Sequence, residues 1–144
     1  MCNTVFGQGD NFNSFNNRVY ISRENAKRRK IVNETEVINV LENKNFTQYY
    51  PENLSFSDQV RLFANADIII SPHGAALSNI LWADNASIIE IFNDYITDPY
   101  FIISNHLGHN YTAIQATSTN PKNKWHSDME VNLDVLREKL NDVI

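Results

Sequence analysis

Apolar positions along this chain follow two periods that alternate. Short apolar runs with consecutive isoleucines, such as residues 67–71 and 87–92, predict strands buried on both faces, as in a parallel sheet. Between such runs, apolar residues recur every three or four positions, which is the period of a helix with one buried face. We therefore predict strands at 18–22, 46–50, 67–71, 87–92 and 111–116, and helices that begin near 33, 57, 74, 98 and 132.

Strands that alternate with helices at this spacing indicate βαβ units and a doubly wound, mostly parallel sheet. The chain has 144 residues, which suits one domain with a single core. We predict an α/β fold over residues 18–144, a Rossmann-like three-layer sandwich. Residues 1–17 show no clear period, and we expect them to form a loose N-terminal arm.

Polar residues indicate where helices begin and where loops lie. Asn33 followed by Glu36 resembles a capping box, and Ser57 is expected to cap the following helix. Residues 117–130 are polar and predict a loop.

Composition narrows the class of protein. The formal net charge of −5 argues against a general attraction to nucleic acid or to an acidic membrane surface. No apolar run is long enough to span a membrane, and no signal peptide is recognisable, so a cytoplasmic location is expected. The single cysteine and four histidines show no zinc-binding spacing, and we expect neither a metal nor a cofactor.

The clearest candidate for chemistry is the Ser-Pro-His-Gly-Ala-Ala stretch at residues 71–76. It joins the end of an apolar strand to a predicted helix, and open α/β sheets bind ligands beyond the carboxyl ends of their strands. A helix N-terminus there offers free N–H groups to phosphate. Gly74, Ala75 and Ala76 would let a diphosphate approach the backbone, and His73 could donate a hydrogen bond to it. The alternative is a tight turn in which His73 is an ordinary polar residue.

Two further features carry charge. Arg23 directly follows the first strand and could bind phosphate oxygens with both arms of its guanidinium, with Arg29 six residues further on. The alternative is a solvated surface, since six basic residues lie between positions 18 and 30. Glu90 interrupts an apolar strand, which is costly unless the carboxylate is paired or liganded. It could accept hydrogen bonds from a ribose diol, pair with an arginine, or face solvent at the strand end.

The order of these motifs resembles glycosyltransferase family 61, which includes bacterial capsular-polysaccharide proteins. The resemblance covers about residues 18–112 and rests on these segments, in chain order: Tyr20-Ile21-Ser22-Arg23, Arg29, Asn33-Glu34, Pro51-Glu52, Leu54-Ser55-Phe56, Gln59, Leu62-Phe63, Ala66-Asp67, Pro72-His73-Gly74-Ala75, Leu77, Asn79 and Ile89-Glu90.

This resemblance implies a GT-B architecture whose C-terminal Rossmann-like domain holds a nucleotide sugar, expected to be UDP-linked. It also implies metal-independent, inverting transfer to a glycan acceptor. By position, Arg23 and Arg29 would hold the diphosphate beside the turn at residues 73–76, and Glu90 would lie on the nucleoside side. Ser71 and Ala76 stand where the family usually has glycine and could narrow the approach of the phosphate.

The resemblance is to the C-terminal domain alone, which implies that a separate domain or subunit would bind the acceptor and could supply a catalytic base. No catalytic residue is assigned. We predict the donor-binding half of a glycosyltransferase of surface-polysaccharide biosynthesis. The alternative is a non-catalytic nucleotide-binding module that requires a partner domain.

Overall fold

Five parallel strands form the central sheet of the computed structural model, which describes residues 14–144. Their spatial order is β2-β1-β3-β4-β5, and every neighbouring pair is parallel. This is a doubly wound order, in which the chain leaves β1 in one direction and returns to extend the sheet in the other. The strands are β1 (Arg18–Ile21), β2 (Thr47–Tyr49), β3 (Ile68–Pro72), β4 (Ser87–Phe92) and β5 (Asn110–Gln115).

Helices cover both faces of this sheet and make three layers. On one face, α1 (Glu34–Glu42) and α4 (Leu133–Val143) pack on strand residues such as Tyr20 and Ile70. On the other, α2 (Phe56–Ala64), α3 (Pro99–Leu107) and a 3-10 helix (Ala75–Trp82) pack on the alternate strand residues. Successive strand residues point to opposite faces, so one strand serves both layers. The predicted α/β three-layer sandwich is confirmed.

The two strands predicted to be buried on both faces, β3 and β4, are buried in the structure. All five residues of β3 and five of the six residues of β4 are buried. The segment that follows β3 is helical as expected, although it is a 3-10 helix and not an α-helix.

The predicted caps of two helices are wrong, although α1 begins directly after Asn33 as expected. The cap of α2 is Ser55 and not Ser57, because the Ser55 hydroxyl accepts a hydrogen bond from the Asp58 N–H at 3.1 Å. Asn33 precedes α1 without forming a capping box. Its side-chain amide instead bonds the backbone N–H and C=O of Val131 at 3.0 and 2.9 Å, since an amide carries both an acceptor and a donor and can match both backbone groups of one residue.

The predicted loop at 117–130 is partly ordered into strands. β6 (Thr117–Ser118) and β7 (Met129–Glu130) form a short antiparallel pair. Met129 is fully buried, and its backbone bonds the Lys30 carbonyl and the Val32 N–H, both at 2.9 Å. These bonds place the segment beside the loop that follows β1.

The predicted N-terminal arm lies mostly outside the described residues. At its end, the Asn17 carbonyl accepts hydrogen bonds from the N–H groups of Asp67 and Ile68 at 2.7 and 3.2 Å. The Asn16 side chain donates to the Asn45 carbonyl at 2.7 Å. Residues 16 and 17 are thus held against the start of the sheet. No helix within residues 14–144 is long and apolar enough to cross a membrane.

Candidate functional site

The loops that follow β1 and β3 meet at the carboxyl edge of the sheet. The two strands are parallel neighbours, with Tyr20 opposite Ile70, so both loops leave in the same direction. The Arg23 guanidinium lies directly on the backbone of Gly74: a Cβ at Gly74 would overlap Nη1 and lie 3.0 Å from Cζ. The prediction that these loops share one edge of the sheet is confirmed.

Glycine suits position 74 because the Arg23 guanidinium lies where a side chain would be, and not because of the backbone conformation at this position. Its φ of 173° is an extended conformation that any residue adopts. The absence of a side chain is what lets the guanidinium rest against the turn.

Arg23 and Arg29 carry buried hydrogen-bond donors that lack partners. Their Nε atoms are buried, and neither makes a hydrogen bond within the described part of the chain. Arg23 donates from Nη2 to the Arg28 carbonyl at 3.3 Å. Burial and the neighbouring charge of Arg29 lower the pKa of Arg23 from its usual value, and Glu52 opposes this effect. Arg23 and Arg29 thus bring two positive charges together with Nε donors that no described residue accepts from. A bound anion would balance the charges and accept from these donors.

Arg29 also has an unusual backbone. Its φ of 56° lies in the left-handed region, which is uncommon for residues other than glycine. Such a conformation costs of the order of 1 kcal/mol or more and persists only where the surroundings impose it.

A cleft of about 260 Å³ lies between the two loops. Ser71 lines it, but the Ser71 hydroxyl donates to the Pro72 carbonyl at 2.8 Å, so this oxygen is engaged with the backbone. The cleft is lined by Ile21, Ser22, Arg23, Asn25, Ala26, Glu52, Ser71, Pro72 and Ala76.

The start of the 3-10 helix supplies two more free donors. The first bond of this helix runs from the Leu77 N–H to the Gly74 carbonyl at 3.0 Å. The N–H groups of Ala75 and Ala76 precede that bond and have no partner among the residues that the structure describes. Free N–H groups at a helix start are suited to an anion.

His73 is held by a buried carboxylate. Its Nδ1 lies 2.6 Å from Oε1 of Glu90, and Oε2 of Glu90 accepts a hydrogen bond from the Tyr111 hydroxyl, also at 2.6 Å. The Glu90 side chain is 1% exposed, so the expectation that it could face solvent is wrong. Its partners are His73 and Tyr111, and not an arginine, because the register places it at the same edge as both.

Aromatic rings fix the imidazole further. Phe92 stacks on it with a centroid distance of 5.2 Å and an interplanar angle of 20°, and Tyr100 lies tilted at 5.5 Å. Burial, then the hydrogen bond to Glu90, raises the pKa of Tyr111. Burial and the charge of Glu90 also raise the pKa of Tyr100, against the opposing effect of Arg29 and Arg23. Both tyrosines therefore remain protonated near neutral pH.

A second cavity, of about 560 Å³, is lined in part by Phe92, the residue that stacks on the imidazole. It shares Phe92 and Tyr111 with the surroundings of His73 and Glu90. Its lining consists of Phe92, Ile96, Thr97, Asp98, Phe101, Tyr111 and Ala113.

Two of the basic residues between positions 18 and 30 contact other parts of the chain. Arg18 lies at the opposite end of β1 and donates to the Lys44 carbonyl at 2.7 Å. Arg28 contacts both ring nitrogens of His126, at 3.0 and 2.8 Å. Within residues 14–144, no group of three or more His, Cys, Asp and Glu side chains is placed to hold a metal ion.

Sequence reasoning missed Tyr111 and Tyr100. Tyr111 pairs with Ile88 and Ala113 pairs with Glu90, so Tyr111 lies diagonally across from the carboxylate on the next strand. Tyr111 and Ala113 are two residues apart in β5, so their side chains point to the same face of the sheet. This spacing is the signal that could have placed the Tyr111 hydroxyl on the face that carries Glu90.

Comparison with known proteins gives a family match and partial relatives. Residues 8–89 match the family model described as Glycosyltransferase 61. The EGF domain-specific O-linked N-acetylglucosamine transferase of Bos taurus is 35% identical over 82 residues, which cover 53% of this chain and 16% of that protein. The protein of the same name from Drosophila melanogaster is 36% identical over 78 residues, covering 51% and 15%. The chain thus spans about one sixth of the length of the curated relatives it matches.

Among solved structures, the Clostridium botulinum CMP N-glycosidase BcmB is similar, with a TM-score of 0.46 and 21% identity over 68% of this chain and 88% of that one. The family match includes Arg23, Arg29 and the turn at residues 73–76. Glu90 and Tyr111 lie beyond its end.

Proposed function

The chain belongs to glycosyltransferase family 61, and from this premise we propose that it is the donor-binding part of a glycosyltransferase. The diphosphate of a nucleotide sugar would lie on Arg23, Arg29 and the turn at residues 73–76. The observation that carries this proposal is the contact of the Arg23 guanidinium with the backbone of Gly74, at the start of the 3-10 helix.

The charges present suit a diphosphate. Two guanidinium groups and two backbone N–H groups converge on one edge of the sheet, and among residues 14–144 neither the buried Nε atoms nor these N–H groups have a partner. Charge-assisted bonds to phosphate are about twice as strong as neutral ones. In glycosyl transfer the nucleoside diphosphate leaves with negative charge, and donors fixed in advance stabilise that charge. We propose that these residues take the part that a metal ion has in other enzymes.

The uncharged part of the donor would extend past His73 into the neighbouring cavity of about 560 Å³. We propose a UDP-linked donor and inverting transfer to a glycan acceptor, within a two-domain GT-B arrangement. A separate domain or subunit would bind the acceptor, and the reaction would serve surface-polysaccharide biosynthesis. If the chain binds the donor and no acceptor-domain protein restores transfer, the chain is instead a nucleotide-binding module.

Calorimetry with uridine diphosphate and with uridine tests the phosphate site. Arg23→Ala should weaken binding of the diphosphate by about 1.5–3 kcal/mol, or roughly ten- to a hundredfold, and leave binding of the uncharged nucleoside nearly unchanged. Arg23→Lys should recover only part of the loss, because an ammonium cannot reproduce the two-armed geometry.

Arg18→Ala is the matched control. It removes the same charge from the other end of β1, where the side chain bonds the Lys44 carbonyl, and should leave diphosphate binding unchanged. Circular dichroism confirms that each variant is folded. If folded Arg23→Ala binds uridine diphosphate as tightly as the parent chain, the phosphate assignment fails.

A further inference from the structure

Glu90 is a buried carboxylate whose two oxygens are both engaged. Oε1 lies 2.6 Å from Nδ1 of His73, and Oε2 lies 2.6 Å from the Tyr111 hydroxyl. An ionised carboxylate only accepts hydrogen bonds, and burial is costly unless its oxygens have donors. For an ionised Glu90, the arrangement therefore requires the proton on Nδ1 of His73 and the hydroxyl proton of Tyr111 to point at Glu90.

This proton placement determines what the other ring nitrogen can do. Nε2 of His73 makes no hydrogen bond with any residue of the described chain. The imidazole side chain is 15% exposed, and Phe92 stacks on its face. The ring is thus held in one plane through Nδ1, while Nε2 has no partner among the residues that the structure describes.

His73 also belongs to the turn that carries the anion site. Its backbone N–H donates to the Ile91 carbonyl at 2.8 Å, which continues the pairing of β3 with β4. The next residue is Gly74, on which the Arg23 guanidinium lies. The imidazole and the guanidinium are thus presented from adjacent positions of one turn.

We propose that Glu90 is a positioning residue: it fixes His73 with Nδ1–H toward itself and Nε2 toward the donor diphosphate, while Tyr111 holds the second oxygen of Glu90. The ligand assignment rests on the proposed function, whereas the orientation of the ring does not. Because Nδ1–H is committed to Glu90, Nε2 donates to a phosphate oxygen when the ring carries both protons. Glu90 then balances the charge of the imidazolium. This role differs from a contact between Glu90 and a ribose, because each Glu90 oxygen already accepts a hydrogen bond and the side chain is only 1% exposed.

Nuclear magnetic resonance of the parent chain tests the orientation directly. Imidazole ¹⁵N–¹H correlation spectra distinguish the two neutral tautomers, and the loss of one signal set in His73→Asn assigns His73 among the four histidines. We expect neutral His73 to carry its proton on Nδ1 in the absence of any ligand. A neutral ring protonated on Nε2 would overturn the proposal, whatever the chain binds.

Calorimetry with uridine diphosphate then tests the consequence. Glu90→Gln removes the charge while keeping the shape, and should weaken diphosphate binding by about tenfold. In a His73→Ala background the same change should have almost no further effect, since a positioning residue acts through its partner. An equal loss in both backgrounds would mean that Glu90 acts independently of His73, and would refute the proposal.

Tyr111→Phe provides a second variant if Glu90→Gln does not fold. It leaves the pair of Glu90 and His73 intact, so His73 should keep its Nδ1 proton, and diphosphate binding should fall less than in Glu90→Gln. Loss of the Nδ1 tautomer in folded Tyr111→Phe would contradict the assigned order of the three groups. If the parent chain does not bind uridine diphosphate while the tautomer is as expected, the proposed function fails and the positioning stands.

Discussion

A methyl group at position 74 would separate the phosphate role of Arg23 from the stability of the fold. In Gly74→Ala the new Cβ would overlap Nη1 of Arg23 and lie 3.0 Å from its Cζ, so the guanidinium must move away from the turn. The backbone need not change, because a φ of 173° suits alanine as well as glycine. The displaced group is the far end of a flexible side chain, and we expect a stability change within about 0.5 kcal/mol.

The binding loss should be much larger than this stability change. If the guanidinium can no longer lie beside the helix start, its charge-assisted contact to phosphate is lost, which is worth about 1.5–3 kcal/mol. Calorimetry should then show uridine diphosphate binding weakened by roughly ten- to a hundredfold and uridine binding unchanged. In the double variant with Arg23→Ala, the alanine at 74 should add almost nothing, because the side chain that it displaces is already absent.

Gly108→Ala is the matched control, with the opposite expected pattern. Gly108 follows α3 with a φ of 75°, and a Cβ there meets no atom of the described residues within 4 Å. Alanine in the left-handed conformation should cost about 1 kcal/mol of stability and leave diphosphate binding unaltered. If folded Gly74→Ala binds uridine diphosphate like the parent, the position of Arg23 against Gly74 has no bearing on phosphate binding and the argument is refuted.

Two further predictions concern the fold. Ser55→Ala should lower the free energy of unfolding by about 0.5–2 kcal/mol, because the Ser55 hydroxyl caps α2; urea denaturation measures this, and Ser57→Ala should change stability much less. Burial, and to a smaller extent the charge of Glu34, raises the pKa of Tyr20 well above its usual value. Above about pH 10 the unfolded chain therefore loses the Tyr20 proton before the folded chain does, and the free energy of unfolding falls as the pH rises. Urea denaturation between pH 9 and 11 measures this fall in the free energy of unfolding. In Tyr20→Phe the fall should be shallower than in the parent chain by up to about 1.4 kcal/mol per pH unit. An unchanged slope would show that Tyr20 does not contribute to it.

The family match assigns the chain to glycosyltransferase family 61. What this structure adds is the arrangement at one edge of the sheet, where Arg23 and Gly74 touch and Glu90 holds His73. The experiments above address these two contacts separately, so that the anion site and the orientation of the imidazole can each fail without the other.

The amino-acid sequence by itself determined the layers of the fold and the edge at which the candidate site lies. Consecutive isoleucines in β3 and β4 indicated burial on both faces, which is a local property of the chain. Parallel strands place their carboxyl ends together, so the loops carrying Arg23 and Gly74 had to share an edge once the strands were parallel neighbours.

Only the tertiary structure decided which polar groups are partners. Glu90 bonds His73 and Tyr111, which lie 17 and 21 residues away in the chain, and Asn33 bonds Val131 at a separation of 98. Apolar periodicity reports which face of an element is buried, and it carries no information about which distant donor meets a buried acceptor. That choice depends on strand register and on how the helices pack, and both arise only when the whole chain is folded.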